Sequence, residues 1–352
     1  MANLTYHEEQ NRKNTQKLRD LLTEMPPFVT TYFRGIEQTT ASRTRIAYAV
    51  DLKVFFEYLQ ATNPLYKETN VRDFDLSVLT KLKSTDIEEY EEYLKLYTDK
   101  NGKEITNNER GIKRKLAALR SFYGYFHRNK MIDENPTMQV SMPKLHQKNI
   151  IRMNDEEVVD FLDEVESGNH LTKHQQAFHK KTKVRDLAIV TLLLGTGLRV
   201  SECVGIDITD VDFMNDRINI VRKGGYESFV YYGEEVRQAL LDYMEEREEI
   251  TPEEGHENAF FLSNRRQRMS VRNVEILVKK YAKTTTVKKI TPHKLRSTYG
   301  TALYRETGDI YLVADVLGHS DVNITKKHYA ALEEERKQSA KNAVSLRKNE
   351  TS

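Results

Sequence analysis

Cysteine is almost missing from this 352-residue sequence: Cys203 stands alone. No internal disulfide can form, which fits a reducing compartment. There is no Cys/His cluster at structural-zinc spacing, so no metal is expected. Long apolar runs are missing too. The longest lies around Leu187 to Leu194, far short of the ~20 residues that span a bilayer. The first residues, MANLTYHEEQ, hold no apolar core, so neither export nor a membrane association is expected, and a cytoplasmic location is. A dominant charge is lacking as well, the formal net charge being +2. Residues 1–150 carry 24 Lys and Arg against 20 Asp and Glu, which leaves 31 against 33 for the remainder. That weakly basic first part is compatible with a DNA clamp and does not by itself indicate one.

What remains is the balance of a globular chain, 38% hydrophobic and 31% charged, longer than one hydrophobic core usually grows. Two domains are expected. Helical spacing of Ile46, Val50, Val54 and Tyr58 predicts a helix over Thr40 to Gln60. Capping boxes Thr85/Glu88 and Thr106/Glu109 predict starts at those threonines. The second of these helices carries an apolar stripe of Ile112, Leu116, Leu119, Tyr123 and Phe126. An extra helix covers Asn11 to Glu24, ended by Pro26-Pro27. The first domain, residues 1–140, therefore reads as all-α, and residues 141–153, after Asn135-Pro136 and including Pro143, as a linker.

From residue 154 onward helices are predicted at Asn154 to Glu166, Arg185 to Leu194, Glu234 to Arg247, Ser270 to Ala282, Pro292 to Arg305, Asp309 to Leu317 and Asn323 to Ala343. Gly168 to Lys183 reads as a polar connection. The one β-signal lies in Asp216 to Tyr232, where Ile218, Ile220, Phe229 and Tyr231 alternate around Gly224-Gly225. The fold class is mainly α, with a small antiparallel sheet in the C-terminal domain.

Four clusters could carry chemistry. In Gly195-Thr196-Gly197-Leu198-Arg199-Val200-Ser201-Glu202 an apolar helix meets a glycine turn, and Arg199 follows at an element end where it can face a ligand. An ordinary helix end with Arg199 paired to Glu202 on the surface is the other reading. Arg222-Lys223-Gly224-Gly225 puts a lysine on a hairpin tip, either solvated or reaching into a groove to deliver a proton. Thr291-Pro292-His293-Lys294-Leu295-Arg296 opens a helix, with His293 and Arg296 three residues apart near an N-terminus that favours phosphate. Leu317-Gly318-His319 ends another, ten residues before Tyr329. Singly, each has a structural explanation, and Tyr329 is one of 19 tyrosines. Together they form the set that phosphoryl transfer without a metal needs. Two guanidiniums hold the non-bridging oxygens and neutralise developing charge. A tyrosine attacks, a lysine protonates the leaving oxygen, and the histidines donate hydrogen bonds or shuttle a proton.

The stretches GTGLRVSE, RKGG, TPHKLRSTYGTALY and VADVLGHSDVNITKKHY, between Gly195 and Tyr329, resemble the tyrosine recombinase, or phage integrase, family. The resemblance implies a two-domain DNA clamp: a helical core-binding domain over 1–140, then a catalytic domain with a C-terminal tail over 154–352. It implies that Arg199 and Arg296 bind the scissile phosphate, Lys223 is the general acid, His293 and His319 assist, Tyr329 is the nucleophile and Glu202 is supporting. Transesterification of this kind uses no cofactor. MPPFVTTYF and AFHKKTKVRDLAIVTLLLGTGLRVSE look like the Xer-type recombinases that act alone, the streptococcal and lactococcal kind. These imply a short inverted-repeat site in double-stranded DNA, a homotetramer on that DNA, chromosome dimer resolution and a septal DNA translocase as helper. The gap from His319 to Tyr329 is one residue longer than usual in the family, with His328 at the shorter position, and Ser297 stands where many members have histidine. Arg110, Lys113, Arg114, Lys115 and Arg120 form a basic helix read as contacting DNA. Three other readings stay open: an integrase of a phage or conjugative element, a type IB topoisomerase, and a non-catalytic DNA-binding architectural protein. The charged stretch from Glu333 to Ser352 either docks on a neighbouring protomer or frays.

Overall fold

The computed structural model describes residues 5–145, 151–222, 225–319, 321–323 and 326. The chain divides into two compact units, Met1–Lys148 and Asn149–Ser352, and the division falls inside the stretch read as a linker.

The first unit contains α1 (Tyr6–Leu22), α2 (Pro27–Gly35), α3 (Ser42–Thr62), α4 (Ser77–Lys81), α5 (Ser84–Tyr93), a short antiparallel hairpin of β1 (Leu96–Thr98) and β2 (Glu104–Thr106), and α6 (Glu109–Arg128). The stripe predicted for α6 is its buried face, from Ile112 to Phe126. Phe122 meets Phe28, Phe56, Tyr32 and Phe126, and Phe126 meets Phe28, ring to ring at 5.1–6.1 Å, the separation at which aromatic pairs attract. On α3 the predicted stripe is only partly the buried face. Tyr58 is buried and Ile46 and Val54 pack half-buried against the core, but Val50 is exposed, and Ala49, Leu52, Phe55, Phe56 and Leu59 fill the core beside Tyr58. A second stripe, one residue away and richer in aromatic area, wins the burial because buried apolar area decides the phase.

The first unit is also not all-α. The chain leaves α5 at Tyr93 and forms the β1–β2 hairpin, whose turn is organised by the Asp99 carboxylate accepting the amides of Asn101 and Lys103 at 2.8 and 2.9 Å. Neither expected capping box starts a helix. Asp86 accepts the Lys83 amide at 2.6 Å at the head of α5, and Asn108 caps α6 by accepting from Gly111 at 3.0 Å. Short polar side chains cluster near both starts, and those that fit the local backbone take the bond.

The second unit contains α7 (Asp155–Ser167), α8 (Lys173–His179), α9 (Lys183–Thr196), α10 (Val200–Cys203), β3 (Val211–Asp212), β4 (Arg217–Val221), β5 (Glu227–Tyr231), α11 (Glu234–Glu248), α12 (Val271–Thr285), α13 (Pro292–Thr307) and α14 (Ile310–Val316). The strands form one antiparallel sheet in the order β3-β4-β5. The capping box at Asn154/Glu157 is present in both directions, at 2.8 and 2.9 Å. The stretch read as a polar connection hides α8, opened by a capping box of Thr172 and Gln175. The apolar α9, with Ala188, Ile189, Val190, Leu192 and Leu193 fully buried, packs against α7, α11 and α13. It stops at Gly197, which takes the left-handed conformation at φ 64°, open chiefly to glycine. The final helix expected at Asn323 to Ala343 lies largely outside the described residues. No helix among the described residues is long and apolar enough to cross a membrane.

Cys203 on α10 is fully buried. Burial, and then the neighbouring Glu202, push its thiol up to about 12. At pH 8 that leaves about one thiol in ten thousand as the reactive thiolate. The native protein is expected to resist an aromatic disulfide reagent and to release one thiol per chain once denatured. Rapid labelling of native protein would contradict the burial.

Candidate active site

The site is built where the C-terminal end of α14 meets the turn after α9. Gly318 follows α14 in the left-handed conformation, φ 60°. The His319 amide bonds the Ala314 carbonyl at 2.9 Å and the Gly318 amide that of Asp315 at 2.8 Å, the paired bonds of a Schellman turn. The carbonyls of Val316, Leu317 and Gly318 point on from the helix end. Carbonyls at a helix terminus lack intrahelical partners and lie at the negative end of the dipole, so they attract cations. Each of the three takes an arginine from a different part of the chain.

Arg199 is the N-cap residue of α10. Its Nη2 donates to the Gly318 carbonyl at 2.8 Å and its Nη1 to Glu202 Oε1 at 2.8 Å, while Glu202 Oε2 accepts the Arg199 amide at 2.8 Å. Glu202 is buried and the Arg199 side chain about one-third exposed. The pair is therefore not a loose surface ion pair. The carboxylate fixes the arginine at both ends, and a second contact ties it to a carbonyl distant in sequence.

Arg296, in the second turn of α13, is 5% exposed. Its Nη1 donates to the Gly197 carbonyl at 2.5 Å and its Nη2 to that of Leu317. Arg296 and Arg199 thus grip adjacent carbonyls of one turn, and Arg296 joins that turn to the end of α9. A Cβ on Gly197 would stand 2.5 Å from Tyr299 and 2.8 Å from Leu317, so glycine is required there by space as well as by φ. A guanidinium carries five N–H donors, and each Nη holds two, so one carbonyl bond per Nη does not exhaust the fork.

His293 lies at the exposed start of α13, next to Pro292, and His319 is half-buried, directly after the Schellman turn. Thr291 occupies the N-cap of α13, but its side chain makes no capping bond. Of the six residues read as catalytic, Arg199, His293, Arg296 and His319 belong to the second unit's described part. Lys223 and Tyr329 lie outside the described residues. The hairpin end that carries Lys223 is closed by the Arg222 amide on the Tyr226 carbonyl at 2.8 Å and the Gly225 amide on the Arg222 carbonyl at 3.1 Å, with Gly225 at φ 84°. The third arginine of the cluster, Arg222, went unassigned from sequence. Its Nη2 donates to the Val316 carbonyl at 3.1 Å. An arginine beside a lysine on a turn was its only sequence mark.

The basic helix α6 divides. Arg110 and Arg114 are exposed and Lys113 half-buried. Lys115 is buried, its Nζ 2.8 Å from the fully buried Asp51, which also takes Arg114. Arg120 donates to the Thr137 and Val140 carbonyls at 3.0 and 2.5 Å. Arg114, Lys115 and Arg120 are thus engaged inside the first unit, since a buried carboxylate demands cations and orphan loop carbonyls demand donors.

Comparison with known proteins agrees with this geometry. The sequence pattern of the Phage integrase family matches residues 134–336, and the chain belongs to that family. It is 33% identical over 307 residues to the tyrosine recombinase XerC of Caldanaerobacter subterraneus, covering 84% of this chain and 79% of that one. To the tyrosine recombinase XerS of Streptococcus pyogenes it is 31% identical over 357 residues, covering 93% and 98%. Among solved structures its fold is similar to the XerH site-specific recombinase bound to palindromic difH substrate (TM-score 0.62, 15% identity, 95% and 94% covered). It is also similar to the Tn1549 transposon integrase in complex with transposon right end DNA (TM-score 0.63, 21% identity, 89% and 98% covered). The molecule is a DNA strand-transferring enzyme, a tyrosine recombinase. Within that class it is a site-specific recombinase of Xer type.

Proposed function

We propose that the chain cuts and rejoins double-stranded DNA at a short inverted-repeat site, as a homotetramer, through a 3′-phosphotyrosyl intermediate and a Holliday junction. One observation carries this reading: Arg199 and Arg296, from segments far apart in sequence, converge on neighbouring carbonyls of the Leu317–Gly318 turn. Two fixed guanidiniums side by side suit the two non-bridging oxygens of one phosphodiester. Tyr329 attacks the scissile phosphorus through its phenolic oxygen, whose proton passes to a histidine of the site, His293 or His319. The new P–O bond forms as the bond to the 5′-oxygen breaks, and Lys223 gives that oxygen its proton. The arginines neutralise the charge of the five-coordinate state. His293 and His319 hydrogen-bond the phosphate and assist proton transfer. In the second step a 5′-hydroxyl of the partner strand attacks the phosphotyrosine and releases Tyr329. No step consumes a nucleotide, because the ester stores the bond energy.

On the first unit, Arg110 and Lys113 are the α6 cations that would meet backbone phosphates, with Arg114 already paired to Asp51. Likeness to XerS over 93% of the chain supports chromosome dimer resolution in the cytoplasm with help from a septal DNA translocase.

The test is a nicked suicide substrate that traps the covalent complex. Tyr329→Phe is expected to bind the site as tightly as the wild type and to form no adduct that survives denaturation. An adduct at full yield in that variant would remove Tyr329 from its role.

A further inference from the structure

Arg222 is assigned no part in the chemistry above, yet it completes the set of arginines on the α14 terminus. Its Nη2 bonds the Val316 carbonyl at 3.1 Å. Its guanidinium lies over the Gly318 backbone, so that a Cβ on Gly318 would overlap Nη1 and sit 3.0 Å from Cδ. Its Nε is buried and has no hydrogen-bond partner among the described residues. A buried donor left unbonded is costly. It persists here because contact with the turn fixes the guanidinium. With Nη2 on a carbonyl, Nη1 against the turn and Nε sealed from solvent, Arg222 is engaged with the turn.

We infer that Arg222 is a positioning residue for strand cleavage. It clamps the Val316–Gly318 turn and thereby fixes the carbonyls on which Arg296 and Arg199 rest, together with the start of His319. The inference rests on the reading of those two arginines as the phosphate clamp. Gly318 is then needed for two reasons, its left-handed φ and the space that Arg222 occupies. Displacing reacting groups by about 1 Å can cost about 100-fold in rate, so Arg222 can matter greatly without touching substrate.

The experiment uses Arg222→Met, which keeps length and loses the fork, in single-turnover cleavage of a nicked substrate. DNA affinity is expected to stay within about twofold, whereas cleavage of the natural phosphodiester falls about 10- to 100-fold. A methylphosphonate at the scissile position removes the negative charge the clamp serves, and on it the deficit is expected to shrink to a few-fold. A 5′-sulfur leaving group, which needs no acid, is expected to leave the deficit unchanged. An equal deficit on phosphodiester and methylphosphonate overturns the inference, and so does rescue by sulfur, which would route Arg222 through Lys223. Arg199→Ala in the same assay separates the underlying reading. If that variant fails to discriminate the two substrates, the clamp reading falls and this inference with it. If it discriminates and Arg222→Met does not, only the inference falls. A second pair guards against misfolding. Gly318→Ala is expected to lower cleavage much less in an Arg222→Ala background than in the wild type. Simple multiplication of the two effects overturns the inference.

Discussion

Arg296→Lys is expected to retain DNA binding and lose about 100- to 1000-fold in strand cleavage, the scale seen when one transition-state donor is removed. The charge survives the substitution, so the loss tests geometry. Arg296 spans the carbonyls of Gly197 and Leu317 with two Nη atoms while buried to 5% exposure. A lysine ammonium is a compact point charge on a flexible stem and cannot bridge both carbonyls while offering paired donors to a phosphate. Arg296→Ala adds a stability cost, because two buried carbonyls lose their donors at about 1–3 kcal/mol each. Single-turnover cleavage with a gel-shift control checks the lysine variant, and thermal unfolding the alanine variant. Cleavage by Arg296→Lys within about tenfold of wild type would falsify a fork-shaped requirement.

Features whose partners sit close in the sequence were legible. The Asn154/Glu157 box, the Gly197 stop, the β4–β5 hairpin and the α6 stripe each depend on residues a few positions apart, and each is present, although on β5 Val230 and not Phe229 or Tyr231 is buried. Arg199 and Arg296 could be named from short motifs because their neighbours, Glu202 and Pro292, are local. What failed depends on distant partners or on competition. Lys115 and Arg120 were read as contacting DNA; their partners Asp51 and Val140 lie 64 and 20 residues away. Arg222 could not be separated from its neighbours on the turn, since Val316 is 94 residues on. The α3 stripe was only partly right, Tyr58 being buried and Val50 exposed, because stripes one residue apart compete and packing against Phe28 and Phe122 favours the one that carries Phe56. The β1–β2 hairpin escaped although Asn101-Gly102 marks its turn, with Gly102 at φ 77°, because strands of three residues are too short to show alternation.

Asp186→Ala should destabilise the second unit more than any surface substitution, by about 3–5 kcal/mol, the usual result of removing one member of a buried ionic network. Asp186, on α9, is 1% exposed. Its carboxylate accepts from Arg185 at 2.7 and 3.1 Å, from Lys280 at 3.0 Å, from the Tyr281 hydroxyl at 2.9 Å and from Thr182 at 3.1 Å. Burial alone would raise its pKa, but Arg185 and Lys280 outweigh burial and hold it below the ordinary aspartate value. The same carboxylate keeps the Tyr281 phenol protonated far above its usual range, with burial the larger cause. Without Asp186, α12 would present Lys280 and Tyr281 to a site with no acceptor. For a unit of about 200 residues each kcal/mol moves the midpoint by roughly 2–4 °C, so a fall of about 10 °C is expected in thermal unfolding. The pH dependence follows from the sign of the shift. A carboxylate whose folded pKa is depressed adds stability above its unfolded value, near 4, and loses it as pH falls through the lower folded value. The gap in midpoint between wild type and Asp186→Asn should therefore hold steady from neutral pH to about 4 and narrow below it. A gap that widens on acidification would mean that Asp186 is protonated in the folded protein and that the network is neutral.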